Sequence, residues 1–489
     1  MQRSSSRQWA VEEFGDAQLG DVRRTARLVT MATEVAANPG GRVSSVFRRS
    51  AERQGAYDFL ESKHVESDAI LRSAVDATFR RAIDLPFVFV PLHGTSVHLT
   101  DLDHAKDFGS VGSRERGARG LKIIDAIAVA PDGTPLGLAA MQWWARGERE
   151  KIARWRRTTA DKELQHWIDA VDAVATAMKR IAPQTRAWFQ IDREGDAQDL
   201  LAKLASSEQW FTVRSQSDRR LSTTGVVLPG NGRHPVKRRR RLRSYMGRKK
   251  ETSYELLEVP ARGDQPARLA CVALRAASVV LQMVENRTSR HRTLPINVVW
   301  VREHARGPML RSRSGKSVTR ALDWMLLTNH PIDTLDNIKE VVRGYEQRWR
   351  IEDFHRAWKS GVCNVEDSQL RAREHVIKWA TVLAAVAIRA ERIKHMSRET
   401  PRAPATVELS KNEVEALIIL KRQYKKKTEE IGDETPDLET ATRWIAELGG
   451  YTGKSSGGPP GSTTIARGLA QLRIATKMLV AINSSKRSE

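Results

Sequence analysis

The sequence is 489 residues long, too long for one hydrophobic core, and its length alone implies roughly two to four domains. Lysine and arginine outnumber aspartate and glutamate by 82 to 59, so a polyanionic partner is expected, nucleic acid ahead of an anionic membrane surface. Two cysteines, Cys271 and Cys363, are too few and too far apart for a disulfide framework or a zinc knuckle. The best apolar stretch, Trp379 to Ile388, is cut by Arg389 and falls short of the roughly 18–20 residues of a membrane span. The opening Met-Gln-Arg-Ser-Ser-Ser-Arg-Gln-Trp9 has no signal-peptide character. A cytoplasmic protein in a reducing compartment, with no membrane association and no structural metal, is expected.

Residues 9 to about 75 read as helices. Arg23, Arg24 and Arg27 fall on one turn and a half, and Leu28, Met31 and Val35 follow at helical spacing. From about residue 85 the pattern changes. Pro86 to Leu92 reads as a short buried strand, and Leu121–Ala130 and Thr134–Trp144 as two strands joined by the turn Pro131-Asp132-Gly133. Leu164, Trp167, Ile168, Val171, Val174, Ala175, Met178 and Ile181 mark an amphipathic helix that Pro183 stops. Ala187–Ile191 is a fourth strand with Asp192 at its end. A helix through Leu200 and Leu204 follows, then a strand at Trp210–Val213. Three strands, helix, strand, helix, strand is the order of a ribonuclease-H-like mixed sheet. Between about 215 and 320 the helical pattern lapses into β-like runs, Tyr254–Val259 and Arg268–Leu274, beside the basic run Lys237–Arg243. Five like charges in a row repel one another unless screened or paired, which favours DNA contact over an idle loop. Asp323–Thr328 returns to strand. Past 400, Ser410 and Glu413 make a capping-box pattern opening a helix, Lys421–Lys427 is basic, Tyr451–Thr464 is a Gly/Ser/Pro linker, and Ile465–Ile482 is a final amphipathic helix.

The densest signal is Gly344-Tyr-Glu-Gln-Arg-Trp-Arg-Ile-Glu-Asp-Phe-His-Arg-Ala-Trp-Lys-Ser-Gly361. On one continuous helix Tyr345, Arg348, Glu352 and Lys359 share a stripe about 60° wide, with Ile351, Phe354 and Trp358 opposite. A carboxylate flanked by cations and a phenol suits metal-dependent phosphate chemistry; a solvated charged face is the plainer alternative.

Tyr, two residues, Arg, three residues, Glu, six residues, Lys resembles the Tyr-Arg-Glu-Lys signature of bacterial insertion-sequence DDE transposases, and the likeness extends over nearly the whole chain. It implies a helical N-terminal DNA-binding domain over 1–75. A ribonuclease-H-like catalytic core follows over 76–400, carrying the β-rich insertion at about 215–320. A helical C-terminal domain over 401–489 mediates dimerisation in such proteins, although Arg467 stands where relatives carry a bulky aromatic. Within this resemblance Arg23, Arg24 and Arg27 contact phosphates and end sequence. Arg348 and Lys359 sit on phosphates beside the scissile bond, and Tyr345 hydrogen-bonds one. Trp324 matches an aromatic that stacks on a flipped base. The alternative for Trp324 is a core position.

Of the three acidic residues such a site requires, Asp192 and Glu352 match the second and third; the alternative role for Asp192 is a helix N-cap. They would hold two Mg²⁺ or Mn²⁺ ions. The first motif reads His93-Gly-Thr-Ser96, with His93 in place of aspartate. A neutral imidazole offers one lone pair and no charge, and it prefers softer metals. Three readings stay open: impaired cleavage with DNA binding retained, substitution by a nearby carboxylate, or ligation of one ion by His93. Asp125 on the neighbouring strand is the best substitute; Asp101 and Asp103 are less suited, since the loop would have to fold back to bring them there. The resemblance thus implies a cut-and-paste transposase. It would bind the terminal inverted repeats of its element as a DNA-bound homodimer in the bacterial nucleoid, cleaving and joining strands. The alternative is a catalytically impaired, transposase-derived DNA-binding protein or inhibitor.

Overall fold

The computed structural model describes residues 5–101, 105–112, 117–147, 163–222, 241–259, 267–284, 291–304, 321–425, 429–453 and 458–485. Asp103 and most of the basic run, Lys237 to Arg240, lie outside them.

The chain opens with helices α1 (Ser5–Phe14), α2 (Val22–Ala37), α3 (Val43–Val46), α4 (Ser50–Glu61) and α5 (Ser67–Arg80). Asp21 caps α2 by accepting from the Arg23 amide at 2.8 Å, and Leu28, Met31 and Val35 bury the face that their spacing marks. The sheet follows: β1 (Phe87–His98), β2 (Gly109–Ser110), β3 (Arg119–Val129) and β4 (Pro135–Trp144), then α6 (Leu164–Ile181), β5 (Arg186–Ile191), α7 (Gln198–Ala205) and β6 (Trp210–Arg214). After α8 (Leu242–Met246) come β7 (Ser253–Val259), β8 (Arg268–Val284), β9 (His291–Glu303) and β10 (Asp323–Thr328).

These form one sheet in the order β2-β3-β1-β5-β6-β10-β9-β8-β7, with β4 on the outer edge of β3. β1, β5 and β6 run parallel, while β3 and β4 form an antiparallel meander with β1. The insertion does not stand apart from the core: the long β8–β9 hairpin joins the sheet through β10. β1 is longer than the apolar run Pro86–Leu92 implied. Its polar half, Gly94 to His98, is held as strand by pairing with Ile124 to Gly120 of β3, a tertiary partner that alternation within one segment does not reveal.

One face of the sheet carries α6 and α7. The other carries α9 (Leu335–Gln347), α10 (Arg350–Lys359) and α11 (Arg373–Glu399). The N-terminal helices share this second apolar cluster. α11 is their spine. The Nζ of its buried Lys378 donates to the Leu60 and Ser62 carbonyls at 2.9 and 3.0 Å. Trp379 Nε1 donates to Gly41 O at 2.7 Å, and Arg389 donates to Ser6 Oγ at 3.2 Å. The arginine that interrupts the apolar stretch is therefore a domain contact, and no helix among the described residues is long and apolar enough to cross a membrane. The last helices, α12 (Lys411–Tyr424), α13 (Leu438–Leu448) and α14 (Ser462–Ser485), enclose their own core. The capping box forms as its spacing implied, with Ser410 and Glu413 satisfying each other's backbone amides.

The signature segment departs from the single-helix expectation. α9 and α10 are separated at Arg348-Trp349, where amides bond three residues back: Arg348 N to Tyr345 O, Trp349 N to Glu346 O, Ile351 N to Arg348 O. A tighter turn advances the chain about 120° per residue rather than 100°. The four signature residues therefore do not lie on one uninterrupted helix, and Tyr345, on α9, is 5 % exposed. α9 also crosses the sheet closely. A Cβ at Gly344 would stand 2.7 Å from the Phe89 ring and 2.9 Å from the Gln190 amide, so only glycine fits there.

Candidate active site

The last rung between the parallel strands β1 and β5 pairs Leu92 with Ile191. The next residues, His93 and Asp192, are therefore neighbours at one end of the sheet. α10 crosses this end with Ile351, Phe354 and Trp358 buried as their spacing implied, and brings Glu352 over them. The three side chains meet with the imidazole in the middle. His93 Nδ1 is 3.6 Å from Asp192 Oδ2, and His93 Nε2 is 3.7 Å from Glu352 Oε1. Asp192 has two tasks: Oδ1 accepts from the Glu194 amide at 2.8 Å and caps a 3₁₀ turn, while Oδ2 faces His93.

Burial alone would push the Glu352 carboxyl up. His93, then Arg348 and His355, outweigh that cost and hold it below the ordinary glutamate value. Arg348 Nη1 is 3.3 Å from Glu352 Oε1. The signature lysine reaches the same end of β1, where Lys359 Nζ is 3.4 Å from both Thr95 Oγ1 and Glu366 Oε1. Glu366 also accepts from the His98 amide at 3.0 Å. Tyr345 lies beneath this group, its hydroxyl pushed up by burial despite the nearby Arg348 and Arg214. Half-buried Trp324 packs edge-on against it, ring centroids 5.1 Å apart.

Two of the carboxylates considered as substitutes, Asp125 and Asp101, are committed elsewhere. Asp125 is fully enclosed, and both its oxygens lie 2.9 Å from His355 Nε2. Asp101 is tied to Arg119 Nε at 2.7 Å and to the Lys106 amide at 3.0 Å. Two Mg²⁺ or Mn²⁺ ions demand many oxygen ligands. Asp192 and Glu352 instead flank opposite nitrogens of one imidazole, so a single ion cannot bridge them while the ring lies between. Among the described residues no group of three or more His, Cys, Asp or Glu side chains converges as a metal site would require. The donor set as placed does not fit the two-ion centre.

Sequence reasoning placed His93, Asp192, Glu352, Arg348 and Lys359 together, and the structure brings them together. It missed the roles of His355 and Glu366. His355 lay inside the quoted motif, but nothing local links it to a partner 230 residues away.

At the N-terminus Arg23 is exposed beside Asp21. Arg24 donates to Leu19 O at 2.9 Å. Exposed Arg27 lies against α4, where a Cβ on Gly55 would meet its guanidinium at 2.9 Å. Arg42, Arg48 and Arg49, which the sequence reading passed over, are exposed in the same region. The transposase DNA-binding family model matches residues 6–65, which hold these arginines and nearly all of α1 to α4. DNA is thus the partner of the N-terminal helices, and the match supports a transposase-like, DNA-processing protein.

Proposed function

We propose that this chain is a DNA-end-binding protein of the insertion-sequence DDE transposase type whose cleavage centre is impaired by His93. The observation that carries the reading is the imidazole lodged between Asp192 and Glu352, where chemistry on two ions needs a third carboxylate. The strand order β4-β3-β1-β5-β6, with an antiparallel meander followed by parallel strands, supports a ribonuclease-H-like core around that centre. Were Mg²⁺ or Mn²⁺ bound in a relative with aspartate at this position, it would supply the charge that activates an oxygen nucleophile on phosphorus. In this reading Lys359 holds a DNA phosphate, and Arg348, 8 % exposed and paired with Glu352, does so where that pair opens. Half-buried Trp324 supports stacking on a base only if Tyr345 yields. Homodimerisation on DNA is supported by α14, where Ile474, Met478 and Ile482 recur every fourth residue and are 59, 61 and 52 % exposed. A place beside bacterial DNA follows from the same reading.

The test measures binding and nicking of duplexes carrying the inverted repeats that flank the coding sequence, with Mg²⁺ and with Mn²⁺. Binding should be sequence-selective and fall steeply with salt. Arg23→Ala with Arg27→Ala should weaken it. Nicking should be absent in the chain as it stands and appear in His93→Asp. Nicking by the unaltered chain that Glu352→Gln abolishes would overturn the impaired-centre reading and restore the active transposase.

A further inference from the structure

Asp125 lies in the middle of β3 with its side chain fully enclosed, directly across the ladder from His93. A buried carboxylate without a partner is strongly unfavourable. Its partner is His355, whose Nε2 is 2.9 Å from each oxygen and whose side chain is 9 % exposed.

His355 follows Glu352 by three residues on α10. Residues three apart lie about 60° from each other around a helix, so fixing the direction of one fixes the other. Glu352 has no comparable anchor of its own: Arg348 is at 3.3 Å, His93 at 3.7 Å, and the side chain is 32 % exposed. The apolar side of α10 sets its depth on the core, but apolar burial is non-directional. The tight turn at Arg348-Trp349 separates the rotation of α10 from that of α9. Trp358 Nε1 ties the far turn of α10 to α11 by donating to Ala380 O at 3.0 Å, and Lys359 reaches Thr95 at its last residue; on the turn next to Glu352 the buried directional contact is the pair between α10 and β3.

We infer that Asp125 and His355 are a positioning pair that sets the rotation of α10, and with it the distance of Glu352 from His93 and Asp192. Asp125 is then a strut beneath the site and no reserve ligand for a cation. The inference rests on the placement of Glu352 in the site proposed above, but not on cleavage.

Histidine-selective ¹³C labelling of the full chain tests it. The His93 ring cross-peak, assigned by its loss in His93→Gln, senses the neighbouring Glu352 carboxylate, and its displacement in Glu352→Gln sets the scale. The His355 ring lies 5.7 Å from the His93 ring, so its direct contribution is taken from the further shift in His355→Ala/Glu352→Gln over Glu352→Gln alone; beyond that contribution His355→Ala should displace the peak by an amount comparable to Glu352→Gln. Asp125→Asn, which keeps the shape and a neutral hydrogen bond, should displace it less but resolvably. The cross-peak of His330, stacked on Trp188 at the far end of β5, should stay in place, which a general loosening of the fold would not allow. Binding to end DNA should stay within about threefold, as for separated sites. A folded His355→Ala protein whose His93 peak moves by no more than the direct ring contribution overturns the inference; if that variant does not fold, an unmoved peak in Asp125→Asn overturns it. A His93 peak that fails to move in Glu352→Gln overturns the site placement itself.

Discussion

Replacing His93 with aspartate turns an imidazole between two carboxylates into a third carboxylate. The ring nitrogens now stand 3.6 and 3.7 Å from Asp192 and Glu352. Two like charges 4 Å apart repel by about 1 kcal/mol in bulk water and about 4 kcal/mol at an effective dielectric near 20. The three side chains are between 14 and 32 % exposed, so each new pair falls between those limits. Without divalent cations the variant should lose roughly 2–5 kcal/mol, partly relieved by proton uptake. For a cooperative unit of core size this lowers Tm by at least about 3 °C. Mg²⁺ or Mn²⁺ at about a hundred times its Kd should return about 2.7 kcal/mol, while the unaltered chain should not respond. The assay is a thermal melt of both proteins in chelator and across a cation titration. The reasoning is refuted if the unaltered chain shows saturable stabilisation that Glu352→Gln removes, or if His93→Asp melts identically with and without cation.

Two further outcomes follow from groups outside the His93–Asp192–Glu352 centre. Lys378→Met removes two charged hydrogen bonds that tie α11 to the end of α4. It should loosen the N-terminal helices by about 2–3 kcal/mol, seen as faster limited proteolysis near residue 62 with the core melt nearly unchanged; unchanged proteolysis would argue against the clasp. Burial pushes the Glu346 carboxyl up to about 7, Arg343 opposing and Glu258 adding to the rise. The folded state then keeps a proton that the unfolded chain has lost above about pH 4.5, so stability falls as pH rises from there to about 7 and is flat beyond. Glu346→Gln should therefore stabilise the protein at pH 8, by about 1–3 kcal/mol, and leave it unchanged at pH 4. Equal effects at both pH values would refute the assignment.

What could be read from the sequence is what short stretches decide for themselves. Near-continuous apolar runs and the Asp132-Gly133 turn specify the β3–β4 hairpin, the period of Trp167, Val171, Val174 and Met178 specifies α6, and Ser410 with Glu413 specifies the start of α12. The fourth strand ending at Asp192 and the spacing around Glu352 were also local signals, which is why the acidic pair was legible. The tertiary structure decided the rest. The polar half of β1 is strand only because β3 pairs with it. The signature helix breaks at Arg348-Trp349, against the regular spacing of its residues, and Tyr345 becomes core. The N-terminal helices join the cluster around α11 through Lys378 and Trp379. Asp125, a plausible cation ligand in sequence, is committed to His355. Apart from the local turn at Arg348-Trp349, each of these is a directional contact between residues far apart in the chain, where desolvation compels a buried donor or carboxylate to find whichever partner the fold brings near; local periodicity carries no record of that choice.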